Sequence, residues 1–569
     1  MLTAIKQSKN TRHDVNEPRI RFITHYSGKA VSYVLILIFL FASTSVLQAQ
    51  QHHMHDDHPL PDGAEIGYID FNVNCNDEVV EDFNHALGMM HHMMYVSSRE
   101  TYENIIEADP GCAMAHWGVA TTLFQPLWGT RPSVDDLHRG WDHISKAMNL
   151  VESERERLLV ESTAEFFREP DSADFRTRIQ RWADAMEAAY DSYSDDLDIA
   201  SLYSLSRLTL AQYSEDRAAY FDEAEAILRT VFEEQSLHPG AIHYTIHATD
   251  VDGRAMNALD VVEAYGDIAP EVPHALHMPS HIYVRLGDWP EVIDWNTRSA
   301  DAALNHPVNG AESHHYIHAI DYLVYAYLQR GEDEKAEHVF QEALQKERHQ
   351  GSFVSAFHFA AIPARLAVEQ RDWEKAAALE PRTPGYLPWD DSPWAEGLTW
   401  YAKGLGAVYT GDLNSAREAE ERLAELRDVA ESRGDDNMVV YIETDRLVLA
   451  GRIAFEDGNE EAALDLLRSA AELELTAEKH PVTPGALQPP REALGYLLLD
   501  LNRPADALSA FESSDNLWPG RLNTLMGASI AARLSGNDRL ARDYFVNLLD
   551  SATGFDYSAM GELHTAVEP

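Results

Sequence analysis

Cysteine is almost missing from this chain: two residues in 569, Cys75 and Cys112. There is no Cys-x-x-Cys pair, which removes dithiol redox catalysis and thiolate-rich metal sites from consideration. Basic residues are also scarce, 45 Lys and Arg against 94 Asp and Glu, for a formal net charge of −49. A chain this acidic repels nucleic acid and anionic lipid, so neither is expected as a partner. The charge serves solubility, including in salty surroundings, or the recruitment of cationic partners. Long apolar runs are lacking too. The one conspicuous run, Val34 to Ala42, is short of the roughly 20 residues that span a bilayer. Also absent are a phosphate-binding glycine loop, a Gly-x-Ser-x-Gly elbow, a His-Glu-x-x-His helix and a dinucleotide fingerprint. What remains is 45% hydrophobic residues, too many for a disordered chain, on a length too great for one ordinary core.

The N-terminus reads as an export signal. Arg19, Arg21 and Lys29 precede the apolar run, and Val46-Leu-Gln-Ala49 offers a small residue for cleavage after Ala49. A mature chain beginning Gln50-Gln51-His52 could bind Cu(II) or Ni(II) through its amine, two backbone nitrogens and the third-position imidazole. The protein is therefore expected to be periplasmic or secreted, with an uncleaved N-terminal membrane anchor as the alternative. In an oxidising compartment the default for Cys75 and Cys112 is a disulfide. Each sits at a predicted helix start, at one edge of an up-down-up array, and closing that loop contributes about 4 kcal/mol on the chain-entropy model. The expected divisions are a signal peptide at 1–49, a polar flexible segment at 50–80, a helical region with degenerate repeats at 81–270, a regular array at 271–550 and a C-terminal tail at 551–569.

The regular part is carried by a turn followed by an alanine-centred helix, in the form Gly-Asp-Trp-x-x-Ala. Gly287-Asp288-Trp289 leads to Val292, with valine in the alanine place. Gly331 leads to Ala336, Asp372-Trp373 to Ala376, Gly411 to Ala416, Gly458 to Ala463, Asn502 to Ala507 and Gly536 to Ala541. Glycine or asparagine accepts the left-handed conformation that ends a helix, and the small alanine lets the next helix approach closely. This set resembles the tetratricopeptide repeat family over roughly residues 275–550. From Gly287 to Gly536 is 249 residues in six steps, about 41 per step where the ideal is about 34. The resemblance implies an all-α, right-handed superhelical solenoid of antiparallel helix pairs. The chain also resembles a group of bacterial exported repeat proteins that carry Pro-His-Ala-Leu-His-Met-Pro-Ser-His, here Pro273 to His281; that resemblance names no activity. The proline-rich stretches 381–393 and 480–490 are expected to lie over the surface of the array.

Histidine is the unusual ingredient. Nine fall between His243 and His318, where an ordinary frequency of about 2% gives roughly two. Three pairs stand four apart: His243/His247, His277/His281 and His314/His318. Residues four apart share a helical face and can bind one metal together. Pro279 should kink or start a helix between His277 and His281. The six are expected to converge on the inner face as one polar site. Tyr244, Tyr283, Tyr316 and Asp250 are placed to orient their rings, and Asp321 continues the His314/His318 face. Imidazole suits Zn and Cu, among others. The function expected from the fold is a scaffold whose concave, histidine-rich groove holds a protein or peptide or another ligand; the alternative is a metal-binding protein or a metal-dependent enzyme that uses these histidines, and a buried polar network would need neither. Two weaker clusters lie upstream. His52–His58 reads as a solvated tail, and Met89–Met94 as core, since methionine fills gaps between helices, though thioether with imidazole also suits copper.

Overall fold

The turn chemistry dictates the architecture. In the computed structural model, which describes residues 65–127, 132–214 and 216–554, each expected turn carries one residue at positive φ. These are Gly287, Gly331, Gly411, Gly458 and Gly536, with Asn502 and, unexpectedly, Arg371 in the same role. At all seven the next amide donates back to the carbonyl five residues earlier. Asp288 N to Tyr283 O (2.9 Å), Asp412 N to Ala407 O (2.8 Å) and Arg503 N to Leu498 O (2.8 Å) are examples. That is the Schellman closure, which satisfies the carbonyls a helix end leaves orphaned. The following helix is then capped, as where Asp412 accepts from Ser415 N and Asn459 from Ala462 N. Ala336, Ala376, Ala416, Ala463, Ala507 and Ala541 are all buried at the helix–helix contacts.

The result is all-α: antiparallel helix pairs succeed one another from Val80–His91 to Asp538–Ser551. Among the described residues there is no strand, only the isolated bridges Val308–Ala311 and Glu312–His349. No helix of these residues is long and apolar enough to cross a membrane. Helices pack on their sequence neighbours, and the first helix of a pair also packs on the first helix of the next; Pro393–Thr410, for example, meets Leu413–Ser432, Phe353–Glu369 and Asp436–Glu456. Two large apolar clusters fill the interior, and Ile293 packs against both. Helix pairs of this kind occupy the N-terminal half as well, where Cys75 and Cys112 are joined in a disulfide with Cα atoms 4.8 Å apart. Met89, Met90, Met93 and Met94 are buried as core. The signal segment, the Gln50 start, the His52–His58 stretch and the tail beyond 554 lie outside the described residues.

Two expectations need correction. Residues 65–79, placed in a flexible segment, instead dock: Phe71 and Val73 are buried, and Tyr68 N donates to Leu237 O (2.9 Å). The proline-rich stretch 480–490 does not lie over the surface. Val482, Thr483, Leu487 and Gln488 are buried, because the array curls back and the segment 474–489 passes through its inner side. Tyr322 OH donates to Pro481 O (3.0 Å), and Arg365 donates to Thr483 Oγ1 (2.6 Å). The C-terminal repeats close the same side. Trp289 Nε1 donates to Gly520 O (3.1 Å) and Leu522 N to Gln329 Oε1 (2.9 Å). Gly287 packs so tightly on Pro519 and Gly520 that a Cβ there would come within 3.1 Å of the Pro519 carbonyl. The regular pairing is interrupted between Asp250 and Asp288 by short helices, Leu259–Val262, Tyr265–Ile268, Pro273–His277 and Pro279–Leu286. That interruption carries the centre of the histidine stretch.

Candidate metal centre

The histidines form a wall along the inner side. His243 and His247 stand on Pro239–Thr249, His274 and His277 on Pro273–His277, and His281 on Pro279–Leu286. His314, His315 and His318 open the helix His314–Gln329, and His358 comes from Phe353–Glu369. Ring centroids follow one another at short range: His243 to His274 5.1 Å, His274 to His315 5.6 Å, His277 to His318 4.1 Å and His318 to His358 4.7 Å. Proline begins both short helices, where its missing N–H costs nothing, and Met278 between them keeps right-handed helical dihedrals, so His281 stays one turn from His277.

Three of the six expected residues come together. One ring nitrogen from each of His277, His281 and His318 lies within 4.8 Å of the others, and all three residues are buried. The Nδ1 atom of each ring is committed. His277 Nδ1 donates to Asn296 Oδ1 (2.7 Å), and His281 Nδ1 to Asp250 Oδ2 (2.9 Å). His318 Nδ1 donates to His358 Nε2 (2.7 Å), whose own Nδ1 donates to Asp321 Oδ2 (3.0 Å). These acceptors fix the tautomers: every Nδ1 carries the proton and every Nε2 a lone pair. Yet His277 Nε2 and His281 Nε2 face each other at 3.1 Å. Burial holds His277 and His318 well below the ordinary imidazole range. It also lowers His281, although Asp250 pulls that ring back up. At neutral pH there is thus no proton to sit between the two lone pairs. A cation resolves the conflict: tetrahedral bonds of about 2.1 Å set ligand nitrogens about 3.4 Å apart, close to the separation found.

The other group of potential ligands behaves differently. His91 Nε2 (3.0 Å) and His238 Nε2 (3.3 Å) both donate to Asp198 Oδ1. His91 Nδ1 accepts from Tyr244 OH (3.1 Å), and His238 Nδ1 accepts from Ala241 N (3.2 Å), capping its helix. Every nitrogen there has a partner of the right kind, so this is a satisfied buried network and needs no ion.

The six expected histidines therefore do not make one site. His243 and His247 stand further along the wall, their rings 5.0 Å apart, and His314 lies against His315 at 4.4 Å. Tyr244 serves His91 rather than the six. Tyr283 lies against Trp295, and Tyr316 stacks on His349. Asp250 does orient a ring, and Asp321 acts one residue removed, through His358. The sequence reading missed His358, Asn296 and the cations that hold the two carboxylates. Arg365 donates to Asp321 Oδ1 (2.9 Å), while Asp250 receives Arg285 (2.9 Å) and Lys479 (3.3 Å). Burial pushes Asp250 up, but Lys479 and Arg285 prevail and keep it well below the usual carboxylate range. Lys479, from the inner segment, is in turn lowered to about 8 by burial, with Asp250 opposing. The one available hint was a polar residue inside an otherwise apolar helix, as at Ala356-Phe-His-Phe-Ala360.

No protein-family profile matches the chain, and no curated protein matches it. Among solved structures it is similar to the APC/C Cut9–Hcn1 hetero-tetramer, at 12% identity over 85% of this chain and 96% of that one, with a TM-score of 0.31. It is also similar to a human IFIT1 dimer with PPP-AAAA, at 14% identity over 84% and 96%, with a TM-score of 0.37. With scores this low the likeness supports nothing further about this chain.

Proposed function

We propose that this chain is a metal-binding helical-repeat protein that holds one divalent transition-metal ion on His277, His281 and His318. The observation that carries this is the tautomer conflict: His277 and His281, each with Nδ1 spent on an acceptor, turn the lone pairs of Nε2 toward one another at 3.1 Å, and a ring nitrogen of buried His318 lies within 4.8 Å of the pair. Carboxylate and amide partners behind ligating imidazoles raise their basicity and hold their orientation. Three nitrogen ligands leave a fourth position for water or an exchangeable ligand, unlike a closed structural site. Imidazole ligands accept Zn, Cu, Fe and Ni, so the donor set does not choose among them. The disulfide fits export to an oxidising compartment. A peptide in a concave groove is the weaker reading of the wall itself, since it would have to displace the segment 474–489. A protein or peptide partner is better served by the cleft of about 830 Å³ bordered by Arg176, Tyr213, Arg254, Asn437 and Leu475. The test is elemental analysis of the tag-free protein, followed by Zn(II) titration after chelator treatment. Wild type should take up metal in stoichiometric amount, and His277→Gln should lose it while keeping its helical signal. Wild-type protein that neither carries nor takes up metal would refute the proposal.

A further inference from the structure

His277, His281 and His318 are all buried, so an ion needs a way in. The three stand on packed helices, but the segment 474–489 that crosses the inner side is of another kind. From Ala477 to Pro489 it has neither helix nor strand, and Thr476, Glu478 and Pro481 are exposed. The C-terminal repeats pin it at both ends. Glu474 accepts from Arg491 Nη1 (2.8 Å) and Trp518 Nε1 (2.9 Å), and Arg521 Nη1 donates to Ala486 O (3.2 Å). Between the pins, three alternate residues hold the surroundings of the centre. Lys479 Nζ donates to Asp250 Oδ2 (3.3 Å), the same oxygen that receives His281 Nδ1. Pro481 O accepts from Tyr322 OH (3.0 Å), and the Tyr322 ring lies 4.5, 5.6 and 5.2 Å from the rings of His277, His281 and His318. Thr483 Oγ1 accepts from Arg365 (2.6 Å), which also holds Asp321, the carboxylate behind His358 and hence His318. The Lys479 side chain is buried, a placement lysine seldom takes unless paired, and it enters from irregular chain.

We propose that 474–489 is a strap that gates the metal centre: it lifts to admit the ion and, once in place, fixes the ligands through Lys479 and Thr483. The inference rests on the reading of His277, His281 and His318 as a metal centre. Lys479 and Thr483 are positioning residues that act through Asp250 and Asp321. With the strap down, both carboxylates are held from behind, and they keep His281 and, through His358, His318 aimed at the ion. With it up, those holds are gone and the imidazoles turn more freely. Irregular chain with one exposed flank opens at lower cost than the packed helices around it. The coupling is reciprocal: by the factor that closure tightens the ion, the ion favours closure.

The probe is Zn(II) on chelator-stripped full-length protein, with two readouts. Subtilisin, its cuts mapped by mass spectrometry, should cleave metal-free wild type between residues 475 and 483. Saturating Zn(II) should slow that cut roughly tenfold or more, and His277→Gln, which leaves every strap contact in place, should show no such protection. Release of Zn(II) to an excess of chromophoric chelator should be about 10–100-fold faster in Lys479→Met and in Thr483→Val than in wild type. Should Lys479→Met fold poorly, Thr483→Val and the wild-type proteolysis still decide. Stoichiometric Zn(II) uptake by wild type with strap cleavage unchanged by the metal overturns this inference while the centre stands. So does uptake with release unaltered in Thr483→Val. No Zn(II) uptake by wild type overturns both readings.

Discussion

Acid should unfold the histidine wall of the metal-free protein well before ordinary carboxylates titrate. Burial, reinforced by neighbouring imidazoles, holds His243, His274, His277 and His318 well below the ordinary imidazole range. Burial likewise lowers His92 to about 3. Each is neutral in the fold, whereas in an unfolded chain each takes a proton near pH 6.5. The unfolded state therefore binds more protons at every pH below about 6.5, and stability falls as pH falls. The contribution is complete above 6.5 and keeps eroding until the folded value is reached, near 3 for His92. One such group gives up about 1.4 kcal/mol at one pH unit below its unfolded value. Five together give up about 7 kcal/mol at pH 5.5, against a typical total of about 5–15 kcal/mol. The central repeats should melt first, since each repeat leans only on its neighbours and on the inner segment. Urea unfolding followed by circular dichroism at pH 7.5, 6.5 and 5.5, with chelator present, measures this. The midpoint should drop sharply between 6.5 and 5.5. A midpoint unchanged over that interval would show that these imidazoles are not held neutral by burial, and the tautomer argument for the metal centre would fall with it.

Two further outcomes follow from single contacts. Asp250→Asn keeps an acceptor for His281 Nδ1 but removes the charge that Lys479 and Arg285 share; Arg285 retains Asp252, while buried Lys479 does not. Metal affinity should fall about 10–100-fold and stability by about 3–5 kcal/mol, read by competition with a chromophoric chelator and by urea unfolding; unchanged affinity would remove Asp250 from the centre. Replacing Cys75 and Cys112 with serine, which opens a link across 37 residues of sequence, should cost about 4 kcal/mol in the first repeats, and a count of two free thiols in the denatured, unreduced wild type would refute the bridge.

The repeat turns were legible because their cause is local. A left-handed residue after a helix needs glycine or asparagine, and six of seven positions had one; Arg371 escaped because nothing in its side chain announces the conformation. The disulfide was legible for a similar reason, from two cysteines at neighbouring helix starts. The candidate metal centre was half legible. Four-residue spacing put His277 beside His281, since a proline-broken helix still brings neighbours in sequence face to face. Spacing could not say which pairs would meet, and it wrongly drew six residues into one site. That choice depends on what holds the far side of each ring. Asn296 lies 19 residues from His277, Asp250 31 from His281, and His358 40 from His318. Those distances are about one repeat or less, so they follow from helix stacking once the register of the pairs is known. Lys479 is 229 residues from Asp250 and arrives only because the array curls back on itself. Curvature accumulates from small rotations at every repeat interface, and no local pattern in the sequence encodes it. A ligand set built from neighbouring repeats can thus be anticipated from spacing, whereas the groups that seal and charge it come from the closure of the whole array.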